Sequence, residues 1–233
     1  MERTRVGARL VVAAAIAVLV GASAGCGGAD FTYVMGGDGQ SYFKVPASWR
    51  KVDQKSLDEK IFGDMSSALA QAEKKLSWTV AYDGFGTPSA DHLLASAAVP
   101  DEPFAFAMVS ALTEAQRDQV SLNGLRNAGM LPVVVTDELR KQMEESAAYP
   151  FKGFELLHDE VLPSDNGVRG VHVVYNFKVL GGPVQTFDQT AYLAADGTRV
   201  SVLLIRCSAT CYRERAGEIG KIAQSFKVKR IPG

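Results

Sequence analysis

The second half of the chain constrains the fold most, because it is a run of predicted strands joined by short turns. The strand segments cover residues 154–162, 170–180, 184–194 and 199–207, with turn signals at 163–167, 181–183 and 195–198. Asp196-Gly197 is the strongest turn signal, since both residues tolerate the positive φ of a tight hairpin. The last segment is almost entirely apolar, which predicts an antiparallel sheet with helices on both faces.

The first half supplies further strands and most of the predicted helices. Residues 41–46 alternate in polarity and end at Pro46, whereas residues 104–112 are apolar almost throughout and indicate a central strand. Trp49 is interpreted as a core residue near a strand end. The remaining predictions are helices over 57–76 with a break at Gly63-Asp64, 113–129, 136–147 and 212–226, short strands at 78–82 and 133–135, and a long loop at 83–103. That loop is one candidate binding surface.

The N-terminal segment is predicted to be an export signal that ends at a lipid-attachment cysteine. Arg3, Arg5 and Arg9 precede the apolar run 10–20, and small residues lead to Cys26. The run is short for a membrane span, which needs about 20 apolar residues. It resembles a bacterial lipoprotein signal, with Ser23 where that signal usually has Leu. An ordinary cleaved secretory signal and an uncleaved anchor are the alternatives.

Lipidation at Cys26 would divide the chain into three parts. Residues 1–25 are the lipoprotein signal peptide, the glycine-rich segment 26–40 is predicted to be a flexible tether, and 41–233 form a single domain. Without residues 1–25, 22 basic residues face 25 acidic ones, a net charge of −3. Such a mixed surface argues against a nucleic-acid partner, for which a clustered basic face is expected. The predicted location is the extracytoplasmic face of the cell membrane, held by the lipid.

Cys207 and Cys211 are predicted to form a disulfide. An exported chain lies in an oxidising compartment, where a cysteine pair persists as a bridge. Four residues apart at a strand-to-helix junction, their α-carbons can come within the distance that a disulfide requires. The competing interpretation is a redox or metal pair. Redox motifs favour two intervening residues rather than three, and no histidine is near in the sequence.

The histidines do not announce a catalytic site. His92, His158 and His172 are scattered along the chain, in no metal-ligand spacing. His158 and Glu160 share a face of a predicted strand and can make an acid/base pair, but a solvated strand face is the preferred interpretation. His172 is expected to pack or hydrogen-bond at a sheet surface. We therefore assign no catalytic residue, no metal ligand and no cofactor, and a non-enzymatic function is favoured over an enzymatic one.

Three stretches resemble PsbP/Mog1-like domains. They are the strand, turn and tryptophan at residues 43–49, the hairpin at 185–207, and the end of the last helix at Gln224-Ser225-Phe226. The chain is similar in particular to actinobacterial lipoproteins of the LpqN kind, which share this layout behind a lipid-attachment signal. The resemblance implies an α+β fold, an α/β/α sandwich with a central, mainly antiparallel sheet.

Two functions remain open at the level of the sequence. The first is a membrane-anchored extracytoplasmic binding or adaptor domain for a protein or cell-envelope component. The alternative is a cell-envelope enzyme or small-ligand carrier that uses a cleft between sheet and helices. A deep pocket lined by converging carboxylates or histidines would favour the alternative, and a flat, filled surface with an exposed apolar patch would favour the adaptor.

Overall fold

A computed structural model of the protein describes residues 30–94 and 101–229. Within these residues, ten strands form two sheets. The strands are β1 (Phe31–Met35), β2 (Ser41–Pro46), β3 (Arg50–Lys51), β4 (Ser77–Asp83), β5 (Phe104–Ala111), β6 (Phe151–Asp165), β7 (Val168–Val179), β8 (Val184–Leu193), β9 (Arg199–Ser208) and β10 (Lys227–Val228). The predicted signal peptide and Cys26 lie outside the described residues.

The described residues also form seven α-helices and one short 3-10 helix at Ala90–Leu93. The α-helices are α1 (Gln54–Phe62), α2 (Ala68–Leu76), α3 (Glu114–Arg117), α4 (Leu122–Arg126), α5 (Asp137–Glu145), α6 (Ala209–Glu214) and α7 (Ala216–Ser225). None of the helices in residues 30–94 and 101–229 is long and apolar enough to cross a lipid bilayer.

A seven-stranded antiparallel sheet forms the centre of the molecule, in the order β3-β4-β5-β9-β8-β7-β6. Its residues alternate between two cores. Leu203 and Ile205 pack on one side with Ile219 and Ile222 of α7, beneath the small sheet β1-β2-β10. The sheet residues whose side chains point to the opposite face pack there with α1, the 3-10 helix and the segment before α5. The predicted α+β class with a central antiparallel sheet is therefore confirmed.

The small sheet corrects the predicted tether at residues 26–40, because Phe31–Met35 forms strand β1 and pairs antiparallel with β2. Val34 of this strand is buried in the core. Gly36, Gly37 and Gly39 belong to the turn between the two strands, where the Asp38 carboxylate accepts from the backbone N–H groups of Gln40 and Ser41. A chain with these tertiary contacts is ordered despite its composition.

Most predicted helices are present, with different ends. The break at Gly63 is confirmed, and Ser67 caps α2, which begins only at Ala68. The helix predicted over 113–129 is two short helices, α3 and α4, and the predicted C-terminal helix is divided at Arg215 into α6 and α7. Residues 133–135 do not form the predicted strand, since the Asn127 side chain takes both backbone hydrogen bonds of Val134.

Candidate functional site

A cleft of 370 Å³ opens between the sheet and the C-terminal segment. Strands β6, β7 and β8 form its floor, and the end of α7 with β10 forms its wall. Helix α7 packs mainly on β2, β8 and β9, so the same face at β6 and β7 is left to the cleft. The polar residues of the lining are His158, Glu160, His172, Thr190, Tyr192, Gln224 and Lys227.

The register between β6 and β7 brings three of these side chains together. Glu160 lies directly opposite His172 in the antiparallel pair, and His158 is two residues before Glu160 on the same face. The residue between them, Asp159, points to the opposite face and pairs with Arg126 at 2.9 Å. The turn between the two strands contains Asn166 and Gly167 at φ values of 50° and 86°, as a two-residue hairpin turn requires, and a bulge between Leu162 and Asp165 then shifts the pairing by one residue, so that Glu160 lies opposite His172.

His158, Glu160 and His172 form one cluster. His158 Nε2 is 3.5 Å from Glu160 Oε2, and the two imidazole rings are 5.1 Å apart between centroids. One nitrogen or carboxylate oxygen from each residue lies within 4.8 Å of those of the other two. The side chains of His158 and Glu160 are about half exposed, at 49% and 51%, so both can adjust towards a bound group.

A buried hydrogen-bond chain orients His172. Its Nε2 donates to Asp188 Oδ1 at 2.8 Å, and the Tyr212 hydroxyl donates to Asp188 Oδ2 at 2.8 Å. The hydrogen bond to Asp188 raises the pKa of His172, and the charges of Asp188 and Glu160 act in the same direction against burial. Burial, together with the Asp188 charge, raises the pKa of Tyr212 and keeps its hydroxyl protonated as the donor. With Nε2 engaged, Nδ1 is the second nitrogen of His172.

The sequence predicted only part of this site. It placed His158 and Glu160 on one strand face and His172 at a sheet surface, but it did not join the three. Asp188 and Tyr212 were not singled out, because their roles depend on strands and a helix that meet only in the folded chain. The Asn166-Gly167 turn aligns Glu160 with His172 only together with a bulge between Leu162 and Asp165, which shifts the pairing by one residue and has no signal in the sequence.

The other residues considered from the sequence lie elsewhere. Cys207 and Cys211 are joined in a disulfide at the end of β9 and the start of α6, with α-carbons 5.8 Å apart. Asp101 lies beside them, but sulfur atoms engaged in a disulfide are not thiolate ligands for a metal. His92 Nδ1 pairs with Asp83 at 2.6 Å, within the segment 83–103, of which residues 95–100 lie outside the description.

Comparisons with known proteins identify the fold. No protein-family model and no curated protein matches the chain. The solution structure of cyanobacterial PsbP from Synechocystis sp. PCC 6803 is similar over 90% of this chain and 99% of that one, at 14% sequence identity and a TM-score of 0.51.

Two further solved structures match at lower TM-scores. LpqN, involved in cell envelope biogenesis of Mycobacterium tuberculosis, matches over 86% of this chain and 91% of that one, at 13% identity and a TM-score of 0.43. The Saccharomyces cerevisiae Ran-binding protein Mog1p matches over 85% and 95%, at 7% identity and a TM-score of 0.43. The likeness to cyanobacterial PsbP shows that this chain has the PsbP-like fold that its sequence predicts.

Proposed function

We propose that this chain is a membrane-anchored, extracytoplasmic lipoprotein that binds a small ligand in the cleft between β6–β8 and α7. The anchoring rests on the N-terminal signal pattern that ends at Cys26. The binding rests on the cleft, which is the single observation that carries the proposal. No reaction is part of it.

The cleft supports binding through both its size and its lining. Its 370 Å³ lies within the range of about 300–1,000 Å³ that small-molecule sites occupy. Donors and acceptors converge on it from three strands and from the C-terminal segment, so a ligand would be held from several directions. Such a concave, polar site favours a ligand carrier over an adaptor that docks through a flat surface.

One observation favours a protein adaptor as the second candidate. Strand β6 is the outer strand of the large sheet and carries apolar side chains that are about half exposed: Leu156 at 47%, Leu157 at 49% and Val161 at 52%. An outer strand offers unpaired backbone groups to an extended segment of another protein. A partner that pairs with β6 would make the chain an adaptor at the membrane.

Native mass spectrometry of the full chain, purified in detergent from its own cells, tests the cleft. We expect a bound species in addition to the mass of the lipidated chain. Gln224→Trp should remove it, because an indole at this exposed lining position occupies the cleft. Lys221→Trp is the matched control, since Lys221 is exposed on the same helix and does not line the cleft.

The outcomes separate the two candidates. Loss of the bound species in Gln224→Trp and its retention in Lys221→Trp support a ligand carrier. A wild-type chain that carries no added species, or one that both variants retain equally, contradicts the carrier. Co-purification of a protein that is lost in Leu157→Lys, with the cleft variants unchanged, would support the adaptor instead.

A further inference from the structure

We propose that His158, Glu160 and His172 bind one divalent transition-metal ion, with Zn²⁺ as the ion that fits them best. The inference rests on the proposed function, because it names the chemistry of a ligand for the same cleft. The carrying observation is the convergence of two imidazoles and one carboxylate at its floor.

The backbone brings the three donors together before any ion is bound. Glu160 and His172 are direct cross-strand neighbours, and His158 is the next residue on the same face. Their donor atoms, within 4.8 Å of one another, are slightly wider apart than the ligands of one ion, whose bonds to nitrogen and oxygen are about 2.0–2.2 Å long. The half-exposed side chains of His158 and Glu160 can close that gap by small rotations.

The donor types select the class of metal. Two histidines with one carboxylate suit zinc and neighbouring transition metals, whereas Ca²⁺ and Mg²⁺ prefer oxygen ligands throughout. Three protein ligands leave at least one position open to the cleft. In zinc proteins an open position holds water or a ligand molecule, which is the arrangement of a reactive or ligand-binding site rather than of a closed structural one.

The hydrogen bonds around His172 provide a second, independent observation. Histidines that bind metals almost always donate their other ring N–H to a carboxylate or carbonyl. Asp188 accepts from His172 Nε2 in this way, is only 3% exposed, and is itself held by the Tyr212 hydroxyl. These hydrogen bonds fix the His172 tautomer that carries its proton on Nε2, so the lone pair of Nδ1 is free for a metal.

Lys227 limits what else the site can hold. It lines the same cleft from β10, and a positive charge there opposes a bound cation. The same charge favours an anionic molecule at the open position of the metal. The site would therefore hold a metal ion together with a carboxylate or phosphate group from the cleft side.

The test uses the full chain in detergent, produced without a polyhistidine tag and stripped with a chelator. Zn²⁺ is titrated by calorimetry, and Co²⁺ is titrated by visible absorption to report the geometry. His158→Gln and Glu160→Gln remove one ligand each at half-exposed positions, so they should leave the thermal unfolding of the metal-free chain unchanged. Asp165→Asn, at the exposed end of the same strand, is the control.

We expect one Zn²⁺ per chain, with affinity at least roughly tenfold weaker in His158→Gln and in Glu160→Gln and unchanged in Asp165→Asn. Asp188→Asn should weaken binding by roughly 10–100-fold and shift the imidazole ¹⁵N signals of His172 to the other tautomer in the metal-free chain. A merely structural role for Asp188 would not change that tautomer.

Equal zinc uptake by the wild type and the two ligand variants, including no uptake by any of them, overturns the inference. The two proposals fail separately. If native mass spectrometry shows a bound organic ligand while zinc uptake is equal in the wild type and the variants, the metal inference fails and the ligand-carrier proposal stands. Absence of both removes the carrier as well.

Discussion

Arg206 on β9 is a buried cation that contacts the loop after β4. Its guanidinium donates to Gln185 Oε1 at 3.2 Å and to the backbone carbonyl of His92. Burial lowers the pKa of Arg206 to about 10, and the negative charges of Asp83 and Asp101 oppose that change. Asp83 is buried as well and accepts from the backbone N–H groups of Phe85 and Ser89. Asp83 therefore holds the start of the loop and, together with Asp101, opposes the charge of the buried cation.

Asp83→Asn should destabilise the fold strongly. The variant keeps the shape of the side chain but removes the negative charge that pairs with His92 Nδ1 and opposes the buried cation of Arg206, and removing one partner of a buried pair costs about 3 kcal/mol. Asp91→Asn is the control, because Asp91 lies in the same loop and pairs with Lys60 at the surface, with 79% of its side chain exposed. Asp91→Asn should lower the free energy of unfolding in urea by less than about 1 kcal/mol. Equal losses in the two variants would contradict the role of Asp83.

The strands of the large sheet could be predicted from the sequence, because each carries its own signal. The segment that becomes β9 is almost entirely apolar and lies at the centre, and Asp196-Gly197 marks its hairpin with β8. β1 could not be predicted in this way. Its five residues are surrounded by glycines, and its order comes from pairing with β2, which is a tertiary contact.

Helix ends were less predictable, because single side chains decide them. Ser121 accepts from the backbone N–H of Gly124 and starts α4, which divides the single helix expected over 113–129. Arg215 divides the C-terminal helix, because its backbone has a φ of −109° and a ψ of 18°. Its guanidinium pairs with Glu102 and Glu218. Helical periodicity continues across both breaks, so the periodicity alone does not show them.

The cleft forms only when the strands and helices assemble, so the sequence predicted only part of it. His158 and Glu160 share a face in any strand that includes both of them. Their meeting with His172 needs the register of β6 and β7, including its bulges. The link to Tyr212 needs α6 to pack near β8.

The disulfide is an element-scale constraint, since it ties the end of β9 to the first turn of α6. Its loop is short, so the entropy removed from the unfolded chain corresponds to about 2 kcal/mol. We expect the double variant Cys207→Ala and Cys211→Ala to lose at least this much stability in urea unfolding. A reducing agent should lower the stability of the wild type and leave the variant unchanged. A wild type that is insensitive to reductant and has two free thiols by mass would contradict the bridge.

At the scale of the whole molecule, the pairing of β1 in the small sheet limits how far from a membrane a lipid on Cys26 could hold the domain. Because β1 begins at Phe31, only the five residues 26–30 separate the start of the predicted lipoprotein from the small sheet. Five residues span at most about 17 Å when fully extended. A lipid on Cys26 would therefore hold the small sheet close to the bilayer.

Cys26→Ala should release the chain from membranes. The lipid attachment that we propose at Cys26 would add several acyl chains, and two or more chains make anchoring stable where one is marginal. Fractionation of cells should find the wild type in the membrane fraction with an added acyl mass, and the variant in the soluble extracytoplasmic fraction without it. Ser23→Leu is the companion variant, because it restores the usual residue of the signal and should keep or increase anchoring. An uncleaved signal would instead leave both variants in the membrane, with no acyl mass on the wild type.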